Sequence, residues 1–313
     1  MAVPDIAVGD SITDVEATRA PRRFLHAVFG NRKAVFGAVI LLVIAFAAAF
    51  PGLIAPYDPH AAIYAQNAPP SSAHLLGTTQ LGQDVFSQLI WSTRLTLIVT
   101  LVVTVIATFL STVIGVTSAY VGGFTDRALT VFIDVFLILP VLPLLILLAS
   151  YLPPGVVSLT VVLCITSWAF QARQLRSQGI SIRNRDFLVA ARARGERGIY
   201  IILVEIVPTM TSLIAASFLS LAVYVVGFAA SLQFLGLGNS SELMWGTMLY
   251  NAQQAAALES GNAVWAISPG AAVALLGAGF ALLNYAFDEL GNPALRPVRK
   301  RRKDRRQRDR AAA

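Results

Sequence analysis

The chain has 313 residues, of which 56% are hydrophobic and only 13% charged, and its mean hydropathy is +0.67. Because soluble domains usually carry about 25% charged residues, this composition excludes an ordinary soluble domain and indicates a polytopic membrane protein. The net charge of +7 arises from a basic C-terminal run between Arg299 and Arg310. The single cysteine, Cys164, excludes an intramolecular disulfide and a cysteine-rich metal site.

Residues 1–20 are polar and partly acidic and have no apolar core, so we expect residues 1–33 to be a cytoplasmic tail and not a signal peptide. Beyond this tail, six apolar stretches are long enough to cross a membrane as helices. They lie at about 34–55, 95–121, 128–150, 156–172, 211–236 and 264–287. The alternation of a membrane β-barrel is not visible. The sequence therefore predicts an all-α fold with six transmembrane helices, of which the sixth is interrupted at Pro269.

Lysine and arginine are distributed unevenly among the connections. The connections 56–93, 151–155 and 237–263 contain neither residue, whereas both tails and the stretch before the fifth span are rich in them. Because positively charged loops stay in the cytoplasm, both termini are predicted to lie inside.

The third span contains one acidic residue and a proline. Asp134 lies about two turns into the span, and an acid at that depth is a candidate pathway or gating residue. The structural alternative is an ion pair with Arg127, seven residues earlier on the same helix face. Pro140 predicts a kink, which is common in helices that line a translocation path.

Motifs for catalysis are missing from the sequence. It contains no phosphate-binding loop, no HExxH and no GxSxG, and its three histidines are scattered. We therefore expect no catalytic residue, no metal site and no cofactor in this chain. The basic C-terminal tail follows an inside-facing span, so we expect it to contact lipid or water and not nucleic acid.

Between Arg173 and Pro208 the chain becomes polar and rich in arginine. The spacing predicts a helix over 185–194 with Asn184 as its N-cap and Gly195 at its C-terminal end. A second short helix is predicted at about 197–205.

One face of the first short helix is apolar or small. It carries Phe187, Leu188, Ala191 and Gly195, opposite Arg185 and Arg192. A helix of about ten residues is too short to be stable alone. It must therefore pack either against a protein groove or against anionic lipid.

The segment from Val189 to Gly195, followed after nine residues by Glu205 to Pro208, resembles the EAA signature of membrane subunits of ATP-binding-cassette importers. That signature reads Glu-Ala-Ala, three residues, Gly, nine residues, then Ile-x-Leu-Pro. Four positions match, namely Ala190, Ala191, Gly195 and Pro208. Val189 replaces the leading Glu, Glu205 replaces the Ile and Val207 replaces the Leu.

Further segments resemble one branch of these importers, the C-type permeases for dipeptides, oligopeptides and nickel. The similarity covers about residues 31–290. It is carried by 54–59 (IAPYDP), 74–85 (HLLGTTQLGQDV), 234–238 (FLGLG), 245–249 (WGTML) and 268–270 (SPG). Thr79 and Gln83 depart from the Asp and Arg of the family segment.

The resemblance implies a type I ABC importer transmembrane domain in the bacterial cytoplasmic (inner) membrane. It would pair with a paralogous second permease and bind two cytoplasmic ATPase subunits, which hold ATP and Mg. An extracytoplasmic substrate-binding protein would deliver the cargo. The residues implied in coupling to the ATPase are Phe187, Leu188, Ala190, Ala191, Gly195 and Pro208.

The segment 71–88 has two interpretations. Gly77, Thr78, Gly82 and Asp84 could form an external mouth that meets the binding protein. Alternatively, the segment is an interfacial helix that packs on the bundle, with turns at its two glycines.

These expectations divide the chain into four regions. They are a cytoplasmic tail (1–33), the first span with its external connection (34–92), the type I transmembrane domain (93–287, with a coupling segment at 184–208) and a basic cytoplasmic tail (288–313). Peptides are the expected cargo. A nickel chelate, a glutathione-like peptide or an oligosaccharide is the alternative, and a self-contained secondary transporter would need more ionisable groups in its spans.

Overall fold

The computed structural model describes residues 32–291, with side chains described as far as Tyr285. Most of the predicted N-terminal tail and the basic tail from residue 292 onward lie outside the described residues. Within 32–291 the chain is helical, and the one pairing of extended residues there is an isolated bridge between Thr78 and Asp84. The prediction of an all-α fold is confirmed.

The described chain forms twelve helical segments. They are α1 (Arg32–Ala49), α2 (Pro51–Ile54), α3 (Val85–Val121), α4 (Gly123–Ile138), α5 (Val141–Tyr151), α6 (Val156–Thr166), α7 (Ala169–Ile182), α8 (Asp186–Ala193), α9 (Gly198–Thr209), α10 (Thr211–Phe234), α11 (Trp245–Gln254) and α12 (Ala263–Gly291). The middle of α9, Ile201–Ile206, is π-helical.

Five stretches of the described chain are long and apolar enough to cross a membrane, and α4 with α5 is a sixth if the bent pair counts as one span. The two halves of that pair meet at 88°. Pro140 stands at the break, immediately before the first residue of α5. The predicted kink is therefore confirmed as a complete interruption of the third span.

Several predicted boundaries are wrong, each for a local reason. α3 begins ten residues before the predicted 95, because the Asp84 side chain accepts a hydrogen bond from the backbone N–H of Ser87 and caps the helix there. The fourth span extends through α7 to Ile182, beyond the predicted 172. Pro269 does not interrupt α12, although it lies inside the helix, six residues after its first residue.

The connections without Lys or Arg gather at one end of the bundle, which we call the loop end (residues 55–84, 151–155 and 237–262). Asn262 Nδ2 donates to the carbonyl oxygen of Thr78 at 2.6 Å. The backbone N–H of Val156 lies 3.3 Å from Glu242 Oε1. The opposite end, formed by residues 122–127 and 176–200, is the arginine-rich end.

The long helix α3 lies at the centre and packs against α7, α10, α1, α6 and α4. At 1.5 Å per residue its 37 residues span about 55 Å. The crossing with α7 is made by small residues, since a Cβ on Gly115 would lie 2.5 Å from the carbonyl oxygen of Ala172, and one on Gly179 would lie 2.7 Å from Ala119 Cβ. Small residues four apart let membrane helices approach closely.

At the arginine-rich end an ion pair joins three helices. Arg176 of α7 donates two hydrogen bonds to the carboxylate of Asp126 on α4, at 2.6 and 2.8 Å. The hydroxyl of Ser118 on α3 donates to the same carboxylate at 2.6 Å. A bidentate pair of this kind fixes orientation as well as distance, so the start of α4 is tied to the α3–α7 crossing.

We expect Gly115→Ala to lower the thermal unfolding midpoint of the detergent-solubilised protein, because the added methyl group would force α3 and α7 apart. Overpacking costs about 1–3 kcal/mol, against the ~1 kcal/mol that alanine gains over glycine within a helix. Gly227→Ala is the matched control, because Gly227 lies inside α10 and a Cβ there would meet nothing within 4 Å. The control should melt at or above the wild-type temperature. Equal midpoints for the two variants would contradict the role of Gly115.

Candidate functional site

The candidate site is the short helix α8 at the arginine-rich end, with the turns that hold it. It begins at Asp186, and the residue before it, Arg185, has no side-chain capping bond. The predicted N-cap, Asn184, is therefore wrong, because the backbone N–H of Arg185 donates to the carbonyl oxygen of Ile182 and makes 183–185 a tight turn out of α7.

The C-terminal end of α8 was predicted correctly. Gly195 has φ +79°, in the left-handed region that glycine adopts without strain. Its N–H donates to the carbonyl oxygen of Arg192 at 3.0 Å, and the N–H of Glu196 donates to that of Ala191 at 3.3 Å. These two bonds form a Schellman motif. A Cβ on Gly195 would meet nothing within 4 Å, so the glycine is needed for its backbone angle and not for close packing within this chain.

The apolar face of α8 is turned inward. Leu188 and Ala191 are fully buried in a cluster at the arginine-rich end. The other buried members of that cluster are Val116, Leu175, Ile182, Ile201, Ile206 and Met210. Leu188 and Ala191 therefore anchor the helix to its own chain. The coupling role that the resemblance implies for them would act through this packing, because the ends of α3, α7 and α9 cover both side chains.

The face that points away from the protein carries Val189 and Ala190, with Ala193 beside them. Val189 is 52% exposed, and Phe187 at the side of the helix is 36% exposed. Pro208 lies in the last turn of α9 and is also exposed. This outward surface consists of small and apolar side chains together with Asp186 in the first turn, and arginines surround it.

Several arginines of this segment have partners within the chain. Arg194 lies 3.6 Å from a carboxylate oxygen of Glu196 and 3.8 Å from one of Glu205. Arg192 donates to the carbonyl oxygen of Arg183 at 3.1 Å, and its guanidinium stands 5.5 Å from the centre of the Tyr120 ring. Glu205, which departs from the EAA signature, thus supplies a carboxylate next to the end of α8.

Asp134 does not pair with Arg127, so that prediction is wrong. Its ion-pair partner is Arg173 of α7, with Nη1 and Oδ1 3.5 Å apart. α4 packs against α7, so the nearest cation comes from the neighbouring helix and not from the preceding turns of α4.

Sequence analysis did not single out Asp126 or Arg176, and it treated Glu205 only as a departure from the EAA signature. The Asp126–Arg176 pair is separated by 50 residues in the sequence, and no spacing rule connects the two. The available signal was the position of Asp126 four residues after Gly122, at the start of a helix, where an acidic side chain is favourable.

At the loop end, residues 71–84 form a folded loop, so the interfacial-helix interpretation is wrong for them. The predicted turns at Gly77 and Gly82 are confirmed by φ angles of +77° and +74°. Thr78 and Asp84 are buried. Asp84 caps α3 with one oxygen, and its other oxygen lies 2.9 Å from His74 Nδ1.

The four residues predicted for an external mouth therefore shape the loop from within. The exposed large apolar side chains of this loop are those of Leu75 and Leu81, and Ile63 is exposed nearby in the sequence.

Comparison with known proteins gives two family matches. Residues 111–296 match the family described as "Binding-protein-dependent transport system inner membrane component". Residues 22–70 match the family described as "N-terminal TM domain of oligopeptide transport permease C". Together the matches cover α1, the last eleven residues of α3 and the described chain from α4 onward, including α8, but not residues 71–110.

Individual relatives agree with these matches. The chain is 31% identical over 259 residues to a putative peptide permease protein of Brucella suis biovar 1 (strain 1330), covering 82% of this chain and 84% of the relative. It is 32% identical over 222 residues to the dipeptide transport system permease protein DppC of Bacillus subtilis (strain 168), covering 70% of this chain and 69% of the relative. It is 30% identical over 205 residues to the nickel transport system permease protein NikC of Escherichia coli (strain K12), covering 64% and 73%.

The predicted family is thereby confirmed on more than half of the chain, and the bent six-span helical bundle agrees with a multi-pass inner membrane protein. The chain belongs to the binding-protein-dependent inner membrane transport components, as a C-type permease subunit of the dipeptide, oligopeptide and nickel ABC importers.

Proposed function

We propose that this chain forms one half of the translocation path of an ATP-driven importer of short peptides, beside a paralogous second permease. The peptide cargo is supported by the names of the Brucella suis and Bacillus subtilis relatives. The nickel permease of Escherichia coli among the relatives makes a nickel chelate the first alternative cargo. A glutathione-like peptide or an oligosaccharide would use the same machinery.

In this proposal two cytoplasmic ATPase subunits bind ATP and Mg, and one of them docks on α8. The observation that carries the docking role is the division of α8 into two faces. Leu188 and Ala191 are buried in the chain's own core, while Val189 and Ala190 point outward from a helix too short to stand alone. A helix anchored in this way moves together with α7 and α9, so a displacement of α8 by the ATPase would also displace the transmembrane helices.

The outward face, and not the buried one, is the proposed contact surface. Ala190 and Ala193 keep that surface shallow, and Val189 adds an apolar contact in place of the glutamate of the EAA signature. Gly195 ends the helix, and Pro208 follows at the end of α9, so both set the shape of the surface.

We propose that both termini and the arginine-rich end are cytoplasmic. In support, the three connections without Lys or Arg meet at the other end of the bundle, which is the arrangement expected for the side away from the cytoplasm. The binding protein would then deliver substrate at the loop end. Leu75 and Leu81 are the exposed large apolar side chains on the loop that Gly77, Thr78, Gly82 and Asp84 hold in shape.

We expect Ala190→Glu to reduce both ATPase co-purification and import at least tenfold, because it places a bulky charged side chain in the centre of an interface, where desolvation costs several kcal/mol. The membrane level of the subunit should not change, because Ala190 is exposed. Ala62→Glu at the loop end is the control for an added surface charge.

Val189→Glu adds the same charge to the same surface, one residue before Ala190. Because it restores the leading glutamate of the EAA signature, we expect assembly and import to be preserved, in contrast to Ala190→Glu. Co-purification of the ATPase at wild-type level with Ala190→Glu would show that α8 does not dock through this face.

The cargo is tested with the complete importer reconstituted in vesicles with its binding protein. Uptake of a labelled dipeptide should require ATP and should be reduced more than tenfold by excess unlabelled dipeptides, but not by nickel chelates or oligosaccharides. Mass spectrometry of the ligand that copurifies with the binding protein gives an independent readout. Competition by a nickel chelate alone would assign the importer to nickel.

A further inference from the structure

The ion pair between Asp134 and Arg173 lies at membrane depth and is open on one side. Arg173 lies about nine residues before the end of α7, and Asp134 about eleven residues after the start of α4, which places both about 13–17 Å from the arginine-rich ends of their helices. A hydrocarbon core is about 30 Å thick. Yet the two side chains are 63% and 37% exposed on the surface of this chain.

The neighbouring pair Asp126–Arg176 provides a contrast. It is bidentate, with distances of 2.6 and 2.8 Å, and both side chains are less than a quarter exposed. The Asp134–Arg173 pair is a single contact of 3.5 Å, and within the described part of the chain Asp134 Oδ1 is shielded from solvent and accepts no hydrogen bond, so the exposed part of this side chain lies elsewhere on it. The Asp126–Arg176 pair therefore makes its hydrogen bonds within the chain and is structural. The Asp134–Arg173 pair retains donors and an acceptor that have no hydrogen-bond partner in the described chain.

An exposed ion pair at this depth cannot face lipid without a large cost, so such residues face a bundle interior or water. Polar side chains on α7, α10 and α12 agree with contact with water, whereas the exposed side chains one turn before Arg173 and Asp134, those of Phe170 and Val131, are apolar. Gln174, next to Arg173, is exposed, and its Oε1 lies 3.4 Å from the hydroxyl of Ser217 on α10. On the same helix, Ser220 lies 3.0 Å from Asn284 Nδ2 of α12, and that contact is exposed.

We propose that Asp134 and Arg173 form a site in the translocation path that binds the two charged termini of a short peptide; this inference rests on the proposed import of peptides. The carboxylate of Asp134 takes the α-ammonium group, and the guanidinium of Arg173 takes the α-carboxylate. A zwitterionic peptide replaces each partner of the ion pair with a group of the same charge, so no charge is left unpaired when the pair opens.

Replacing the ion pair within the chain by two ion pairs to the peptide termini changes the free energy little, and a transport site needs such weak net binding. A site in a translocation path must bind strongly enough to be entered and weakly enough to be left. An extended dipeptide spans about 7 Å, roughly twice the 3.5 Å between the paired atoms. Binding at both ends therefore requires α4 and α7 to separate at this level, while the Asp126–Arg176 tie holds them together nearer the arginine-rich end.

The test compares uptake of free and end-blocked dipeptides in vesicles that contain the complete importer. Arg173→Gln should lower uptake of a free dipeptide at least tenfold, but should lower uptake of the C-amidated dipeptide less than twofold relative to wild type with that same peptide. Asp134→Asn should show the same selectivity for free over N-acetylated dipeptide. Since each variant is compared with wild type on one peptide, the preference of the binding protein cancels.

Thiol labelling gives a readout that does not need delivery by the binding protein. In a Cys164→Ala background, Gln174→Cys should react with a charged thiol reagent, and a free dipeptide should slow the reaction. Val105→Cys on the apolar surface of α3 is the control that should not react, because Val105 is exposed among apolar side chains. In the Arg173→Gln protein the dipeptide should no longer protect the thiol.

Equal losses for free and blocked peptides, or labelling of Gln174→Cys that the dipeptide does not slow, would overturn the site while leaving peptide import intact. If the wild-type importer moves no peptide of any kind, the proposed function fails, and this inference fails with it.

Discussion

The bidentate pair between Asp126 and Arg176 is the interaction on which the arginine-rich end depends. It joins α4 to α7, and the hydroxyl of Ser118 adds α3 to the same carboxylate. A pair of this geometry leaves little freedom for rotation or sliding. The turn at Gly122 and the start of α8 are placed by these three helices, so the surface that α8 presents is set by a contact outside α8.

The positions of the spans follow from the sequence because hydrophobic length is a local property, and five spans and a bent sixth were found where apolar runs predicted them. The end of α8 was also predictable, since Gly195 is needed for a left-handed residue. The partners of charges were not predictable. Arg127 lies on the same helix as Asp134 and was the natural choice, whereas Arg173 is brought close only by the packing of α4 on α7.

The apolar face of α8 also shows that tertiary contacts cannot be predicted from a local sequence pattern. Its amphipathic pattern was read correctly, but a pattern does not say what covers the apolar side. Leu188 and Ala191 are covered by residues from α3, α7 and α9, which are distant in sequence from one another. Because these two side chains are buried within the chain, they support α8, and Val189 and Ala190 are the side chains that its outward face exposes.

The long helix α3 connects both ends of the molecule without a break. Its first turn is capped by Asp84 in the loop that faces one side, and Ser118 near its last turn belongs to the Asp126 cluster on the other. It contains no proline, and its one glycine, Gly115, is held in the crossing with α7. Such a rod cannot bend to absorb a displacement. A tilt imposed at one end of α3 moves the other end by a comparable distance. Movements of the loop that contains Asp84 and of the short helix α8 are therefore coupled through α3.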